Sequence, residues 1–277
     1  TFKPDIIIAW LKPAARLLPR RCRAIKIGRV GGYYKGKNYR YCDYIVANSI
    51  PLKNFMKNQG FKDAAYIANF VTVGSALTTP PTRRRPTLFF HGRLHPQKGL
   101  DVLIDALPHI EADVQIAGAG ALEAELRQRA VTNRVAEKIE FLGWQKDTWS
   151  QLSNAHVYVF PSRYEGTSNS LLEAMACGKP IVTTNAESVS WFLTHGENAL
   201  IVDVDNAQQL AQAVNRLITD PMLARQLGEN ARQLYQERFN EHAICSQWIE
   251  FCERALESRN ATGKTARMET NSRQVTF

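Results

Sequence analysis

Short apolar runs alternate with longer segments of helical periodicity between residues 87 and 202, and this alternation restricts the fold more than any other feature. Strands that are apolar at nearly every position are buried on both faces, and helical crossovers cover the faces of a parallel sheet. The pattern predicts an α/β fold in which six strands, each followed by a helix, form one open parallel sheet. The predicted strands are residues 87–91, 114–117, 139–142, 156–160, 181–184 and 199–202. The predicted helices are residues 99–110, a segment from about 121, 148–154, 170–176, 190–193, 207–218, 221–235 and 241–257.

Apolar runs in the first third of the chain predict a second, smaller set of parallel strands. These runs are residues 5–11, 24–30, 44–48 and 66–70. The segment 71–86 is rich in Thr and Pro, contains three consecutive Arg residues and lacks periodicity, so we interpret it as the domain boundary. The predicted organisation is a partial N-terminal domain over residues 1–75, a linker over 76–86, a C-terminal domain over 87–240, a helix over 241–258 that packs back on the N-terminal domain, and a polar tail over 259–277.

Basic residues are concentrated in the first third. Residues 1–86 hold 17 Lys and Arg against three acids, a balance of +14, whereas residues 87–277 hold 18 against 23, a balance of −5. This asymmetry indicates an anionic partner: a phosphorylated acceptor, an anionic membrane surface or nucleic acid. The alternative is a solvated basic face that only aids solubility. The longest apolar run, residues 6–11, is far shorter than the ~20 residues of a membrane span.

The cysteines and the start of the chain bear on its compartment. Five Cys occur without a CxxC pair, which indicates a reducing compartment and no metal site. We expect Cys245 and Cys252, seven residues apart, to lie in the core. No signal peptide is visible, so the predicted location is the cytoplasm.

The loops that follow the strands hold the candidate ligand-binding residues, because ligands of open parallel sheets bind beyond the carboxyl ends of the strands. Gly92, Arg93 and Lys98 follow the strand at 87–91 and precede a helix start. A glycine, two cations and free helix N–H groups suit a diphosphate. The alternative is ordinary surface charge on a βα loop.

Two further loops carry weaker signals. Gly118 and Gly120 permit a close approach of a ligand or of a neighbouring backbone. Trp144 stands at the end of the strand at 139–142, where it either stacks on a nucleobase or belongs to the core.

The loop and helix after the strand at 156–160 are the most informative stretch. Glu165 lies in the loop, and Glu173 lies eight residues later, about one turn into a helix. We expect both carboxylates to flank the helix N-terminus, where carboxylates accept hydrogen bonds from sugar hydroxyls and backbone N–H groups face phosphate oxygens. Such a site suits a ribose, a diphosphate and a hexose together.

These segments resemble the GT-B retaining glycosyltransferases of group 1, family 4. The run EGTSNSLLEAMACGKPIV resembles the E-x7-E signature of that family, and GRLHPQKGLDVLIDAL, AGAGALEAELR and IEFLGW resemble its other landmarks in the same order. The resemblance is close over residues 87–258 and looser over 1–86. It implies a Rossmann-like donor domain preceded by a partial Rossmann-like acceptor domain.

The resemblance also implies roles for single residues. Arg93 and Lys98 match the cations that neutralise the donor diphosphate, Glu173 the carboxylate on the ribose, and Glu165 the carboxylate near the transferred sugar. Of these, Glu165, Arg93 and Lys98 are the predicted catalytic residues. The complete predicted donor site comprises Gly92, Arg93, Lys98, Gly118, Gly120, Trp144, Glu165, Gly166, Thr167, Ser168, Asn169, Ser170 and Glu173.

The implied reaction moves a hexose from a UDP- or GDP-sugar to an anionic glycan or lipid-linked acceptor, with retention of configuration. Front-face and double-displacement routes both remain open. We expect no cofactor and no metal: Asp203 and Asp205 form a DxD sequence, but Asp205 or Asn206 is better explained as a helix cap. Peripheral contact with the inner face of the cytoplasmic membrane fits the basic first third, and we expect no nucleic acid partner.

The chain departs from the family pattern in two places. Family members carry a further stretch of acceptor domain before the point that matches Thr1, so we expect this chain alone to be a weak or inactive transferase. Many members also have a His at the end of the strand that matches residues 25–30, where this chain has none. His91 and His95 are predicted to be loop or packing residues rather than substitutes.

Three alternatives remain at this point. A nucleotide-sugar epimerase on the same fold is disfavoured by the E-x7-E run, and a phosphorylase by the short chain. A polyanion-binding module would explain the basic first third without catalysis.

Overall fold

A computed structural model of the chain describes residues 3–73 and 85–272. Contacts between residues divide the chain into two units, one formed by Thr1–Ala68 with His242–Phe277 and the other by Asn69–Glu241. The predicted linker over 76–86 lies outside the described residues except for Arg85 and Pro86.

The first unit contains a four-stranded parallel sheet in the order β1-β2-β3-β4. Its strands are β1 (Ile6–Ala9), β2 (Ile25–Val30), β3 (Tyr44–Ala47) and β4 (Ala65–Tyr66), and its first helices are α1 (Lys12–Leu17) and α2 (Ile50–Asn58). The Oγ of Ser49 accepts a hydrogen bond from the N–H of Leu52 and caps α2. The predicted strand at 66–70 begins one residue earlier and stops at Tyr66, and α1 is a helix that periodicity did not reveal.

The second unit contains a six-stranded parallel sheet in the order β10-β9-β8-β5-β6-β7 among the described residues, as the alternation of apolar runs predicts. Its strands are β5 (Thr87–His91), β6 (Asp113–Ala117), β7 (Ile139–Gly143), β8 (Val157–Phe160), β9 (Ile181–Thr184) and β10 (Leu200–Val202). The order reverses between β5 and β8, which pair with each other. The loops after β5 and β8 therefore emerge side by side, which is where open α/β sheets bind ligands.

Seven helices in the described residues connect these strands and follow them. They are α3 (Leu100–Ala106), α4 (Glu123–Thr132), α5 (Trp149–Asn154), α6 (Asn169–Ala176), α7 (Glu187–Ser190), α8 (Ala207–Thr219) and α9 (Pro221–Arg238). Leu88 and Phe90 of β5 belong to a cluster of buried hydrophobic side chains that also contains residues of α3 and α8. The predicted helix over 99–110 ends at Ala106 and continues as a 3₁₀ turn, because Pro108 has no N–H to donate.

The short helix predicted at 190–193 was wrong in position. Helix α7 precedes that segment, and Trp191 and Phe192 leave it to pack edge-on against Phe239. Burial of these rings against a distant part of the chain outweighs the local pattern.

The last helix, α10 (Glu241–Ser272), belongs to the first unit. Trp248 packs against Trp10 with ring centroids 5.5 Å apart, and Phe251 packs edge-on against Tyr44 at 5.8 Å. The polar tail predicted from residue 259 is helical as far as Ser272. The segment contains no proline, and adding residues to an anchored helix costs far less than starting one.

The exposure of two cysteines and the apolarity of the helices complete the description of the fold. Cys245 is exposed, so its predicted place in the core was wrong, and Cys252 is half-buried. No helix in the described part of the chain combines the length and apolarity that crossing a bilayer requires.

Candidate active site

The loops that follow β5, β6 and β7 are joined by their backbones. The N–H of Gly92 donates to the carbonyl of Ala117 at 2.9 Å, and the N–H of Gly118 donates to the carbonyl of Gly143 at 2.7 Å. A Cβ on Gly118, whose φ is +147°, would overlap the carbonyl oxygen of Gly92, and a Cβ on Gly120 would overlap that of Leu94. Both glycines are therefore required by the close approach of two loops.

A cavity of about 460 Å³ opens at the carboxyl ends of these three strands. Its lining consists of His91, Gly92, Arg93, Ala117, Gly118, Ala119, Trp144, Gln145, Lys146, Thr148 and Glu173. Trp144 is 72% exposed, so it is a wall of this cavity and not a core residue. The guanidinium of Arg93 has no ion pair within residues 3–73 and 85–272, which leaves it free to meet an anion.

Glu173, on the second turn of α6, is held by His91, the last residue of β5. The Nε2 of His91 lies 2.6 Å from the Oε2 of Glu173. The His91 ring stacks on Phe89, with centroids 5.3 Å apart, and lies 5.4 Å from the ring of Tyr158. Tyr158 is fully buried, and this burial raises the pKa of its phenol.

Glu165 makes a second ion pair, with Lys98. Both side chains are 11% exposed, and the Lys98 ammonium contacts Oε1 of Glu165 directly. Ser162 Oγ donates to the same oxygen at 3.3 Å, and the ammonium also lies over the ring of Phe160. The predicted diphosphate cation and the predicted sugar carboxylate therefore neutralise each other in this structure.

Arg163 fastens the loop that carries Glu165. It forms a forked pair with Asp101 at 2.7 and 3.0 Å and donates to Asp205 at 2.7 Å. Burial pushes the pKa of Asp101 upward, but the hydrogen bonds and charge of Arg163 outweigh it and hold that pKa below its usual range. Asp205 is thus committed to a structural contact.

Asp203, the other carboxylate of the DxD sequence, and Asn206, which follows the sequence, also make structural contacts. Asn206 caps α8 by accepting from the N–H of Gln209, as one of the two predicted caps, and Asp203 accepts from Asn185 at 2.8 Å. No cluster of three or more candidate metal ligands occurs in the described part of the chain.

The N-terminus of α6 carries the remaining predicted donor residues. Ser168 precedes its first turn, and the hydroxyls of Ser168 and Ser170 lie 2.9 Å apart. Asn69 donates to the carbonyl of Thr167 at 3.1 Å and to the Oδ1 of Asn169 at 2.9 Å. The N–H groups of the first turn have no partner within the helix, as in every α-helix, and can bind an anion.

The structure brings some predicted residues together and separates others. The cavity lining unites Gly92, Arg93, Gly118, Trp144 and Glu173, whereas the lining does not include Gly120 or the Lys98–Glu165 pair. The predicted donor site did not include His91, which lines the cavity and contacts Glu173. The position of His91 at the end of a predicted strand, directly before Gly92, was the available signal. His95 is a loop residue as predicted, since its Nδ1 accepts from the N–H of Gln97.

Known proteins that resemble the chain point to one family. The model of the family "Glycosyl transferases group 1" matches residues 79–234. The lipopolysaccharide core biosynthesis glycosyltransferase LpsE of Rhizobium meliloti is 31% identical over 258 residues, which span 90% of this chain and 75% of that protein. LpsD of the same organism, of the same description, is 30% identical over 269 residues, or 93% of this chain and 78% of that protein.

A solved structure resembles the chain in fold. Anabaena HepE in complex with UDP-glucose superposes with a TM-score of 0.82 at 21% identity, over 92% of this chain and 79% of that one. With two parallel α/β sheets, the chain has the Rossmann-like GT-B fold. Because the family model matches more than half of its length and LpsE matches nine-tenths of it, the chain belongs to the group 1 glycosyltransferases.

Proposed function

We propose that the protein transfers a hexose from a UDP- or GDP-sugar to an anionic glycan or lipid-linked acceptor of the lipopolysaccharide core type, with retention of configuration. The observation that carries the proposal is the cavity in which Arg93, Trp144 and Glu173 converge at the carboxyl ends of the donor-type sheet. This set combines a free cation, an exposed aromatic face and a carboxylate, which suit a phosphate, a base and a ribose.

The nucleotide half of the donor occupies this cavity in the proposal. The indole of Trp144 stacks on the base, and the carboxylate of Glu173 accepts hydrogen bonds from the ribose hydroxyls. The Arg93 guanidinium binds phosphate oxygens as a forked donor. HepE, which shares the fold, was solved with UDP-glucose, and this supports a nucleotide-sugar as donor.

The leaving diphosphate develops negative charge during transfer, and the proposal assigns its stabilisation to Arg93, Lys98 and the N-terminus of α6. No metal is required for this, because fixed cations and N–H groups do the same work. Lys98 is already desolvated and paired with Glu165. When the diphosphate arrives, Lys98 shares its charge with it, and Glu165 turns to the hexose, where it orients the sugar and stabilises positive charge at the reacting carbon.

The acceptor side of the proposal rests on the first unit. Its excess of Lys and Arg suits a phosphorylated or membrane-borne acceptor, and the similarity to LpsE and LpsD supports a lipopolysaccharide core glycan. This acceptor places the enzyme in the cytoplasm, in contact with the inner face of the cytoplasmic membrane.

Calorimetric titration with UDP, GDP and ADP, and with their sugars, tests the donor site. We expect one of these nucleotides to bind, and Glu173→Ala and Arg93→Ala to weaken it roughly tenfold or more, since a hydrogen bond to a charged group contributes about 1.5–3 kcal/mol. Glu229→Ala and Arg225→Ala, exposed residues on α9, are the matched controls and should bind as the parent does.

Two results contradict the assignment. Either no nucleotide binds at all, or the Glu173 and Arg93 variants bind as tightly as the parent. Strong binding of mixed nucleic acid, without any response to nucleotide sugars, would instead favour a polyanion-binding module.

A further inference from the structure

His91 is the one hydrogen-bond partner of the Glu173 carboxylate among the described residues, and it belongs to a different element. It ends β5, whereas Glu173 lies on α6, 82 residues later in the chain. The histidine is 8% exposed, and the side chain of Glu173 is 23% exposed, so of these two lining residues the carboxylate is the more open to the cavity.

The two ring nitrogens of His91 differ in their surroundings. Its Nδ1 is buried and has no hydrogen-bond partner within the described part of the chain. Its Nε2 lies 2.6 Å from Oε2 of Glu173, and since a carboxylate oxygen only accepts, Nε2 is assigned as the donor of this hydrogen bond.

The ring of His91 packs against two aromatic neighbours. Phe89 stacks on it nearly parallel, at an interplanar angle of 22°, and the Tyr158 ring closes another side. A ring held in this way gives a fixed donor, and a fixed donor restricts the long, flexible side chain of Glu173 to one conformation. The second carboxylate oxygen, Oε1, accepts no hydrogen bond from residues 3–73 or 85–272 and is left for a ligand.

We propose that His91 is a positioning residue that holds Glu173 in the conformation that binds the ribose of the donor. The inference rests on the proposed function, in which Glu173 is the ribose carboxylate. A carboxylate that is ordered before binding loses no further freedom when the ribose arrives, so its hydrogen bonds contribute fully to affinity.

The competing explanation is that the pair only fastens β5 to α6. The two explanations differ in what is lost with His91. A fastening contact contributes to stability and affects all ligands alike, whereas a positioning residue affects only ligands that carry ribose hydroxyls.

Titration of UDP and 2′,3′-dideoxy-UDP against three variants distinguishes a positioning role from a fastening contact. GDP and 2′,3′-dideoxy-GDP are titrated in the same way. His91→Leu removes the donor and keeps an apolar side chain. His91→Gln retains an N–H donor at similar reach. Phe90→Leu, on the opposite face of the same strand and fully buried, is the control for general loosening of β5.

We expect the parent to prefer the ribonucleotide by about tenfold. His91→Leu should reduce this preference to about twofold, with nearly unchanged affinity for the dideoxy compound. His91→Gln should restore most of the preference, and Phe90→Leu should keep it even though its melting temperature falls.

Failure of the positioning role of His91 and failure of the proposed function give different results. If His91→Leu keeps the parental preference while Glu173→Ala abolishes it, the proposed function stands and the positioning role is wrong. If the parent shows no preference for ribose, or Glu173→Ala retains it, the ribose assignment fails, and the role of His91 fails with it.

Discussion

The two ends of the six-stranded sheet each hold a histidine and a buried lysine, but their partners differ in kind. At the amino end, the Nδ1 of His156 accepts from the N–H of Thr87 at 3.0 Å, and Lys179 donates to the carbonyls of Ser153 and Ala155. At the carboxyl end, His91 and Lys98 instead meet carboxylates, those of Glu173 and Glu165.

The difference distinguishes residues that hold the fold together, which we call the scaffold, from residues of the candidate active site. Backbone groups cannot leave, so His156 and Lys179 satisfy the ends of neighbouring elements permanently, and burial lowers the pKa of both side chains. Side-chain carboxylates have oxygens to offer a ligand. Glu173 can keep His91 on Oε2 and present Oε1, whereas Glu165 and Lys98 can turn from each other to a hydroxyl and a phosphate. Residue type and burial are similar at both ends, and the identity of the partner marks the site.

The largest effect is expected from Gly118→Ala, which tests whether the carboxyl end depends on close backbone packing. The added Cβ would overlap the carbonyl of Gly92, so the variant should lose about 3 kcal/mol or more of unfolding free energy and all nucleotide binding. Urea denaturation and calorimetry measure the two effects.

Gly196→Ala is the control for Gly118→Ala. Its φ is +78°, but nothing lies within 4 Å of an added Cβ, so the cost should be about 1 kcal/mol. Equal losses in the two variants would show that conformational strain alone, and not the contact between loops, explains the glycine at 118.

Replacement of each of the two lysines by methionine tests the difference between the two ends of the sheet. Lys98→Met should weaken nucleoside diphosphate binding by about 10- to 100-fold, because the phosphate loses a charged donor. Lys179→Met should lower the unfolding free energy by about 1–3 kcal/mol, since two buried carbonyls lose their donor, and should leave affinity within about twofold. Loss of affinity in Lys179→Met at full stability would contradict the division into scaffold and site.

Trp144→Ala should act on binding alone. The indole is 72% exposed, so the melting temperature should stay within a degree or two of the parental value. Loss of stacking on the base should reduce nucleotide affinity by a factor of about 5–10. Trp191→Phe, in the aromatic cluster with Phe239, is the control, because its loss should lower stability without changing affinity.

The smallest effect is a pH dependence at the amino end. Burial, aided by the charge of Lys179, lowers the pKa of His156 from its usual 6.5. The folded state therefore favours the neutral ring, which accepts from Thr87, and stability is full above pH 6.5 and declines as the pH falls below it. His156→Asn keeps an acceptor that does not titrate, so its melting temperature should fall less than the parental one between pH 7.5 and 5.5. An identical fall in the two proteins would show that another group causes it.

Local sequence signals predicted most elements and several of the residues that line the cavity. The apolar runs located all strands of the six-stranded sheet to within two residues, and the spacing of Glu165 and Glu173 singled out the loop that meets β5. The signals failed where burial depends on remote residues, as for Trp191 and Phe192 against Phe239, and where an anchored helix continued past its apolar face, as in α10.

The amino-acid sequence alone predicts the order of strands and helices, the clustering of glycines, cations and carboxylates in loops after strands, and the family to which the chain belongs. Which of these groups meet depends on the tertiary fold. His91 and Glu173 are 82 residues apart and Lys98 and Glu165 are 67 apart, and they touch because β8 pairs with β5 in the sheet. Periodicity indicates whether a segment is buried and which conformation it adopts. Strand order instead depends on how all the elements pack around one core, so no local pattern predicts the strand order.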